Sequence, residues 1–311
     1  MAHSDEKKLY LLGHPIAHSK SPVMYNAVFE RLRLPWRYGF MDCPTDGEAQ
    51  AFLAARDFFA INVTTPYKPQ AFEAATVKAS SARLAKGANV LVAHGDALIA
   101  YNVDGRGCIG YLEHEGVKIA GARVAVCGTG PTALAILHAA SLAGAEEVLL
   151  LSRDKRRAQA VLEEYAETYR ALTAAAVDIT SAQPGHLGFR EAYDKVGLRF
   201  GSYTTSTKAI AAADVIIDAT TLGMHEGDPA PFDPALLSAR QTVFDVVYGH
   251  GTTALVAAAR DAGCAAFDGA GMLVSQAVAA VGIFCDIASV DLALSNDELF
   301  AIMAQAAEFD L

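Results

Sequence analysis

Three short stretches carry side chains able to work on a small polar molecule. HSKSP, residues 18–22, follows the apolar run LYLLG and sets Ser19 and Ser21 on either side of Lys20. By itself it predicts a helix start, with Ser21 at the N-cap and Pro22 in the first turn. A helix N-terminus also favours an anion, so hydroxyls placed there suit a carboxylate. INVTTPYK, residues 61–68, leaves an apolar run with Asn62, Thr64 and Lys68 near its end, and YNVDG, residues 101–105, does the same with Asn102 and Asp104. In open α/β sheets, ligands sit outside the carboxyl ends of strands. A lysine and an aspartate meeting there would form a pair for proton transfer and positioning; taken singly, each is more often a surface charge.

A fourth stretch fits a dinucleotide. GTGPTA (Gly128, Thr129, Gly130, Pro131, Thr132, Ala133) comes directly after the apolar run RVAVC and opens a helix. Its glycines allow a tight turn and close backbone approach to a pyrophosphate, which the helix N-terminus then attracts. Ala133 stands where a last glycine is common, and Pro131 removes one N–H donor while suiting a first helical turn. The next apolar run ends at Ser152, followed by Arg153, Asp154, Lys155, Arg156 and Arg157. A guanidinium forks onto the oxygens of a 2′-phosphate, so Ser152, Arg153 and Arg157 favour NADP. Asp154 dissents, because a carboxylate there suits a ribose hydroxyl, and NAD stays open.

The elements that must hold these groups alternate. Residues 9–13, 36–41 and 58–64 read as strands, with helices over 22–34 and 46–56 between them, and residues 89–103 read as a hairpin turning at 94–96. Residues 105–116 read as a linking helix. Further strands are expected at 123–127, 146–152, 214–220 and 242–248, with mostly helix after residue 252. Alternation of strands and helices implies parallel pairing with helical crossovers, hence an α/β protein. The segment 165–207 has weak periodicity, and a structureless loop of that length is uncommon in a compact domain. An extra strand or short helix is expected there.

Bulk composition narrows the classes. The chain has 311 residues, 52% hydrophobic and 19% charged, enough apolar material for real cores. Its formal net charge of -10, with no long basic stripe, argues against nucleic-acid binding. The five cysteines are scattered with no CxxC pair, which predicts reduced thiols, no zinc site and a cytoplasmic setting. No histidine cluster suggests a metal. MAHSDEKK is too polar for a signal-peptide core. The most apolar tract, 270–285, is broken by Ser275 and Gln276 and is expected to be too short to span a bilayer, so no membrane partner is expected. Monomer and homodimer are equally open.

GHPIAHSKSPVMYN (13–26) resembles the opening motif of the shikimate dehydrogenase family, and NVTTPYK (62–68) its second. GANVLV (87–92), AYNVDG (100–105), the glycine turn, SRD (152–154), DATTLGM (218–224), DVVY (245–248) and DGAGMLVSQA (268–277) follow in the family's order. The resemblance implies a substrate-binding domain with a mostly parallel sheet over 1–106, a Rossmann-like NADP-binding domain over 107–252, and helices over 253–311 that return to the first domain. It implies that Ser19 and Ser21 bind the substrate carboxylate and that Lys68 and Asp104 form the catalytic pair. Thr64, Asn89, Tyr248 and Gln276 would contact ring hydroxyls and carboxylate, with Gly269 beside the nicotinamide. The activity implied is reversible hydride transfer between NADP(H) and a ring carbon, interconverting 3-dehydroshikimate and shikimate in the pathway to aromatic amino acids. Beside a carbonyl, a lysine ammonium stabilises a developing alkoxide and supplies its proton.

Several positions depart from the family pattern. Val90 and Val103 stand where threonine is usual, Tyr25 where histidine, Asp218 where asparagine and His250 where proline is common. Lost hydroxyls leave room for a quinate-preferring or NAD-using relative acting on a related cyclohexane carboxylate. A sensor that binds without turnover is the rival from another class, and the retained Lys68 and Asp104 oppose it.

Overall fold

The computed structural model describes residues 6–180 and 196–311. The chain falls into two compact units, Met1–Gly107 with Leu273–Leu311, and Cys108–Met272. The first contains β1 (Lys7–Gly13), α1 (Ser21–Arg31), β2 (Trp36–Asp42), α2 (Asp46–Ala55), β3 (Ala60–Val63), α3 (Lys68–Ala74), β4 (Val77–Lys78), α4 (Ser80–Ala85), β5 (Val90–His94), β6 (Ala97–Tyr101) and the start of α5 (Asp104–His114). The second holds β7 (Arg123–Cys127), α6 (Pro131–Leu142), β8 (Glu147–Ser152), α7 (Lys155–Thr180), β9 (Gly197–Ser202), α8 (Thr207–Ala212), β10 (Val215–Asp218), β11 (Thr242–Asp245), α9 (Ala254–Asp261) and β12 (Ala265–Phe267). The chain then returns to the first unit through α10 (Ala270–Ala288) and ends with α11 (Asn296–Ala307).

Each unit is built on a six-stranded sheet. The first runs β2-β1-β3-β5-β6-β4. Its β2-β1-β3 half is parallel, and the β5–β6 hairpin enters antiparallel to β3. That hairpin turns through Gly95 and Asp96, and Gly95 has a φ of +57°, where a side chain would be strained. The second sheet runs β12-β11-β10-β7-β8-β9 and is parallel at every pairing. Its central strands read as unbroken apolar runs because helices cover both faces.

Apolar spacing explains the cover of the first sheet. Met24, Tyr25, Val28 and Phe29 recur along one side of α1 and are buried. They share a core with Val274, Ala277, Val281 and Phe284 of α10 and Leu299 and Met303 of α11. Tyr25 stacks on Tyr38 with ring centroids 4.3 Å apart. Boundaries are set by local chemistry: α2 and α11 each begin with a reciprocal capping box, Thr45 with Glu48 and Ser295 with Glu298.

Two expectations change. The second unit extends to Met272, past the expected boundary at 252, because the three-residue β12 joins its sheet and α9 packs into its core. So short a strand, in a partly exposed position, leaves little periodicity to read. The tract expected to be too short for a bilayer continues to Ala288, and α10 is long and apolar enough by length and composition to cross one. Its apolar side chains instead fill the first unit's core. Within 165–207, α7 continues to Thr180 and β9 and the start of α8 supply regular structure; 181–195 lies outside the described residues.

Candidate active site

The topology of the first sheet gathers the polar groups at one edge. β1 and β3 are parallel, so the residues after both emerge on the same side. β5 runs antiparallel to β3, which brings its beginning there, and β6 returns to the same edge. Ser19 and Ser21 thus follow β1, Thr64 and Lys68 follow β3, Asn89 precedes β5, and Asp104 follows β6.

Lys68 opens α3 and Asp104 opens α5, and their side chains meet: Lys68 Nζ lies 2.5 Å from Asp104 Oδ2. The pair is largely enclosed, with side-chain exposures of 15% and 6%, so it is not the solvated surface contact that either charge alone suggests. Asn89 holds the carboxylate from behind, donating from Nδ2 to Asp104 Oδ1 at 2.7 Å while its Oδ1 accepts the Val103 N–H at 2.9 Å. The Asn89 backbone is itself fixed between strands, its carbonyl accepting from Val63 N–H and its N–H donating to the Tyr101 carbonyl. Gln276 completes the group, its Oε1 3.5 Å from Asn89 Nδ2. Gln276 reaches in because Gly107 has no side chain; a Cβ there would lie 2.6 Å from the Gln276 Cβ.

The serine turn differs in detail from expectation. Lys20, not Ser21, is the residue before the helix, and Ser21 is already its first turn. Capping comes from one position further back, where Ser19 Oγ accepts the Ser21 N–H at 3.3 Å. The two hydroxyls lie 3.2 Å apart. Lys20 points away, with Nζ 4.0 Å from Glu308. Thr64 packs its methyl against Gly13, where an added Cβ would come within 2.3 Å of it. Val90 and Val103 are buried in the apolar core of this unit, so hydroxyls there would be enclosed rather than presented to a ligand. Asn102 adds a support outside the expected site set. It accepts the Asp104 N–H at 3.0 Å and donates to the Gly87 carbonyl at 3.0 Å. The sequence placed Asn102 at the strand end beside Asp104 without giving it a role, and its place two residues before Asp104, an Asx-turn spacing, is the signal for this one.

In the second unit, the Gly128–Ala133 turn joins β7 to α6. Gly128 has a φ of +111°, and a Cβ on it would lie 2.9 Å from the Ala219 carbonyl oxygen. Gly130 is extended at the helix N-cap and faces open space, where a Cβ would meet nothing. Pro131 sits in the first turn, Thr129 and Thr132 are half-buried, and Ala133 is buried. This is a glycine cradle at a helix N-terminus, and it fits a pyrophosphate. Past β8, Ser152 is half-buried while Arg153 and Arg157 are exposed. Asp154 is already engaged, its Oδ1 accepting the Arg156 N–H at 2.9 Å in the first turn of α7. Tyr248 is half-buried after β11 in this unit, and Gly269 lies against the same segment, where a Cβ would come within 2.1 Å of the Val246 carbonyl oxygen. The Lys68 group and the glycine turn thus belong to separate units.

Sequence reasoning missed a buried row on the face of the second sheet covered by α8 and α9. Cys127, Asp218 and Asp245 are in register on β7, β10 and β11. Asp245 is satisfied, its Oδ2 accepting from Thr253 Oγ1 at 2.6 Å and its Oδ1 from Val247 N–H at 3.0 Å. Asp218 Oδ1 accepts the Thr220 N–H at 2.9 Å, whereas its buried Oδ2 has no partner. Burial, and then the charge of Asp245, push the Asp218 carboxyl up to about 7. Among the described residues, no group of three or more His, Cys, Asp or Glu is placed to hold a metal ion.

Residues 11–91 match the family described as the shikimate dehydrogenase substrate binding domain. A shikimate dehydrogenase (NADP(+)) of Rubrobacter xylanophilus is 34% identical over 298 residues, covering 92% of this chain and 95% of that protein. The enzyme of the same name from Symbiobacterium thermophilum is 33% identical over 276 residues, 88% of this chain and 86% of that protein. Among solved structures, a shikimate dehydrogenase in complex with NADP+ shares the fold with a TM-score of 0.76 at 22% identity, covering 98% of this chain and 97% of the other. With identity above 30% sustained over most of its length, the chain belongs to the shikimate dehydrogenase family.

Proposed function

We propose that the protein catalyses the reversible NADP(H)-dependent reduction of 3-dehydroshikimate to shikimate, with Lys68 and Asp104 as its catalytic pair. The observation that carries this reading is the enclosed Lys68–Asp104 contact of 2.5 Å at the ligand-facing edge of the first sheet. NADPH, when bound, supplies the hydride that reduces the ring carbonyl carbon. Lys68 Nζ stabilises the oxygen as charge develops on it and delivers the proton, and in the reverse direction takes it back. Asp104, fixed by Asn89 and Asn102, keeps the ammonium aimed and accepts from a ring hydroxyl. Ser19 and Ser21 receive the substrate carboxylate, and Thr64, Asn89, Gln276 and Tyr248 bind the remaining ring substituents and carboxylate.

For the cofactor, the turn Gly128, Thr129, Gly130, Pro131, Thr132 and Ala133 would hold the pyrophosphate. Ser152, Arg153 and Arg157 would hold the 2′-phosphate, with Gly269 beside the nicotinamide. Asp154 supports the NADP preference, since its carboxylate is engaged with the α7 backbone and is less available to a ribose hydroxyl. A cytoplasmic place in aromatic amino acid biosynthesis goes with this activity.

The test is a turnover panel of shikimate and quinate, each with NADP and with NAD. Shikimate with NADP is expected to turn over fastest, and Lys68→Ala to lower kcat at least about 100-fold. Replacing Ser19 and Ser21 together by alanine is expected to raise the substrate KM. Faster turnover of quinate with NAD would move the assignment to a quinate dehydrogenase. Absent turnover with intact ligand binding would make the protein a sensor.

A further inference from the structure

The second unit carries a buried acid that the reaction above does not use. Asp218 ends β10, in register with Cys127, the residue before the glycine turn. The two strand exits touch: the Ala219 N–H donates to the Cys127 carbonyl at 2.9 Å, and the Ala219 carbonyl is what a Cβ on Gly128 would strike. The Asp218 side chain is 1% exposed, and its Oδ2 has no hydrogen-bond partner. An ionised oxygen in that state is costly, while the neutral acid is far less so.

The surroundings offer no compensating cation. From β7 comes the Cys127 thiol, pushed up by burial and by the two carboxylates. From β11 comes Asp245, a like charge, with Asp268 acting on Asp245 in turn. From the segment after β9 comes Tyr203, whose phenol is raised by burial and feels Cys127, Asp218 and Arg153 while touching the Gly128 backbone. Thr253 caps α9 and binds Asp245. Lys208 of α8 and Arg260 and Asp261 of α9 are exposed, and none of them shifts Asp218.

We infer that Asp218 is a positioning residue of the dinucleotide site, whose carboxyl must keep its proton for a pyrophosphate to seat against the Gly128 turn. This rests on the reading of that turn as the cofactor site. A seated pyrophosphate adds negative charge beside a poorly solvated carboxyl, where charges interact more strongly than in water. Binding and protonation of Asp218 therefore favour each other, and the coupling is reciprocal. Because the free carboxyl sits near neutrality, dinucleotide affinity falls as pH rises through that region.

NAD is the clean probe, because it lacks the 2′-phosphate whose own second ionisation lies near pH 6. Calorimetric titration of the whole protein with NAD, in buffers of different ionisation heat, gives both Kd and proton uptake. Between about pH 6 and about pH 8.5, the Kd is expected to rise at least about threefold, with proton uptake on binding near neutrality. Asp218→Asn keeps the acceptor for the Thr220 N–H. It is expected to hold the low-pH affinity of the unmodified protein to within about 1.5-fold across the range, with no uptake. Asp245→Asn removes the like charge and is expected to move the midpoint to lower pH. The same pH profile in the unmodified protein and Asp218→Asn would overturn the inference. So would an Asp218→Asn variant that binds weakly even at the acid end, since that marks a merely structural role. No binding of NAD or NADP at any pH would overturn the cofactor reading and this inference with it.

Discussion

Asn89 makes more of the candidate site than its neutral side chain suggests. It supplies the hydrogen bond that holds Asp104 Oδ1 and the acceptor for Val103 N–H, both in buried surroundings. Asn89→Ala would remove both hydrogen bonds, a cost of about 1–3 kcal/mol, and thermal unfolding is expected to show the loss alongside a lower kcat. Asp218 gives the opposite sign at alkaline pH. Its folded-state value is raised to about 7 from 3.8, so its contribution is complete below the unfolded value and is lost as pH rises through the folded one. Urea unfolding at about pH 8.5 is expected to find Asp218→Asn more stable by on the order of 2 kcal/mol, with the gap closing towards pH 4. Lys68, Asp104 and the two serines could be picked out in the sequence, but only with the family motifs beside their place after apolar runs, since each charge alone reads as a surface group. The unpartnered oxygen of Asp218 could not, because it depends on which strands become neighbours.

Among the elements, α5 and α10 approach as closely as their glycines allow. A Cβ on Gly107 would lie 2.6 Å from the Gln276 Cβ and 2.8 Å from its backbone nitrogen, so the helices would have to part. Gly107→Ala is expected to cost about 1–3 kcal/mol by overpacking and, by displacing Gln276, to raise the substrate KM. Gly110, on the same helix, faces open space, so Gly110→Ala is expected to stabilise by about 0.5–1 kcal/mol. Denaturant midpoints of the two variants should move in opposite directions. The sequence marked α5 as a helix but not which of its glycines is a contact, since that is decided by residues far along the chain. Elements with their own punctuation were readable, such as the hairpin turning at Gly95 and Asp96 and the helix opened by Pro22. β12 was not, being three residues in a partly exposed position, too few to show a period.

At the scale of the whole molecule, all five cysteines are free and all are buried. Burial pushes the thiols of Cys43, Cys127, Cys264 and Cys285 up, which disfavours the reactive thiolate. An aromatic disulfide reagent is expected to titrate fewer than about one thiol per folded chain at about pH 7.5, and all five after denaturation. The division into units was only partly legible: the family resemblance implied that the first is assembled from both ends of the chain, but it ended the second unit at 252 and not at Met272. That discontinuity has a consequence in time. Every strand of the first sheet has been synthesised by Tyr101, but of the helices that share its core only α1 precedes that point, and the other two begin at α10. At about 5–20 residues per second, translation of 108–272 leaves that core with α1 alone for on the order of ten seconds. During that interval the second unit has its complete sequence and can fold first, while the half carrying Lys68 waits on the last part of the chain to leave the ribosome.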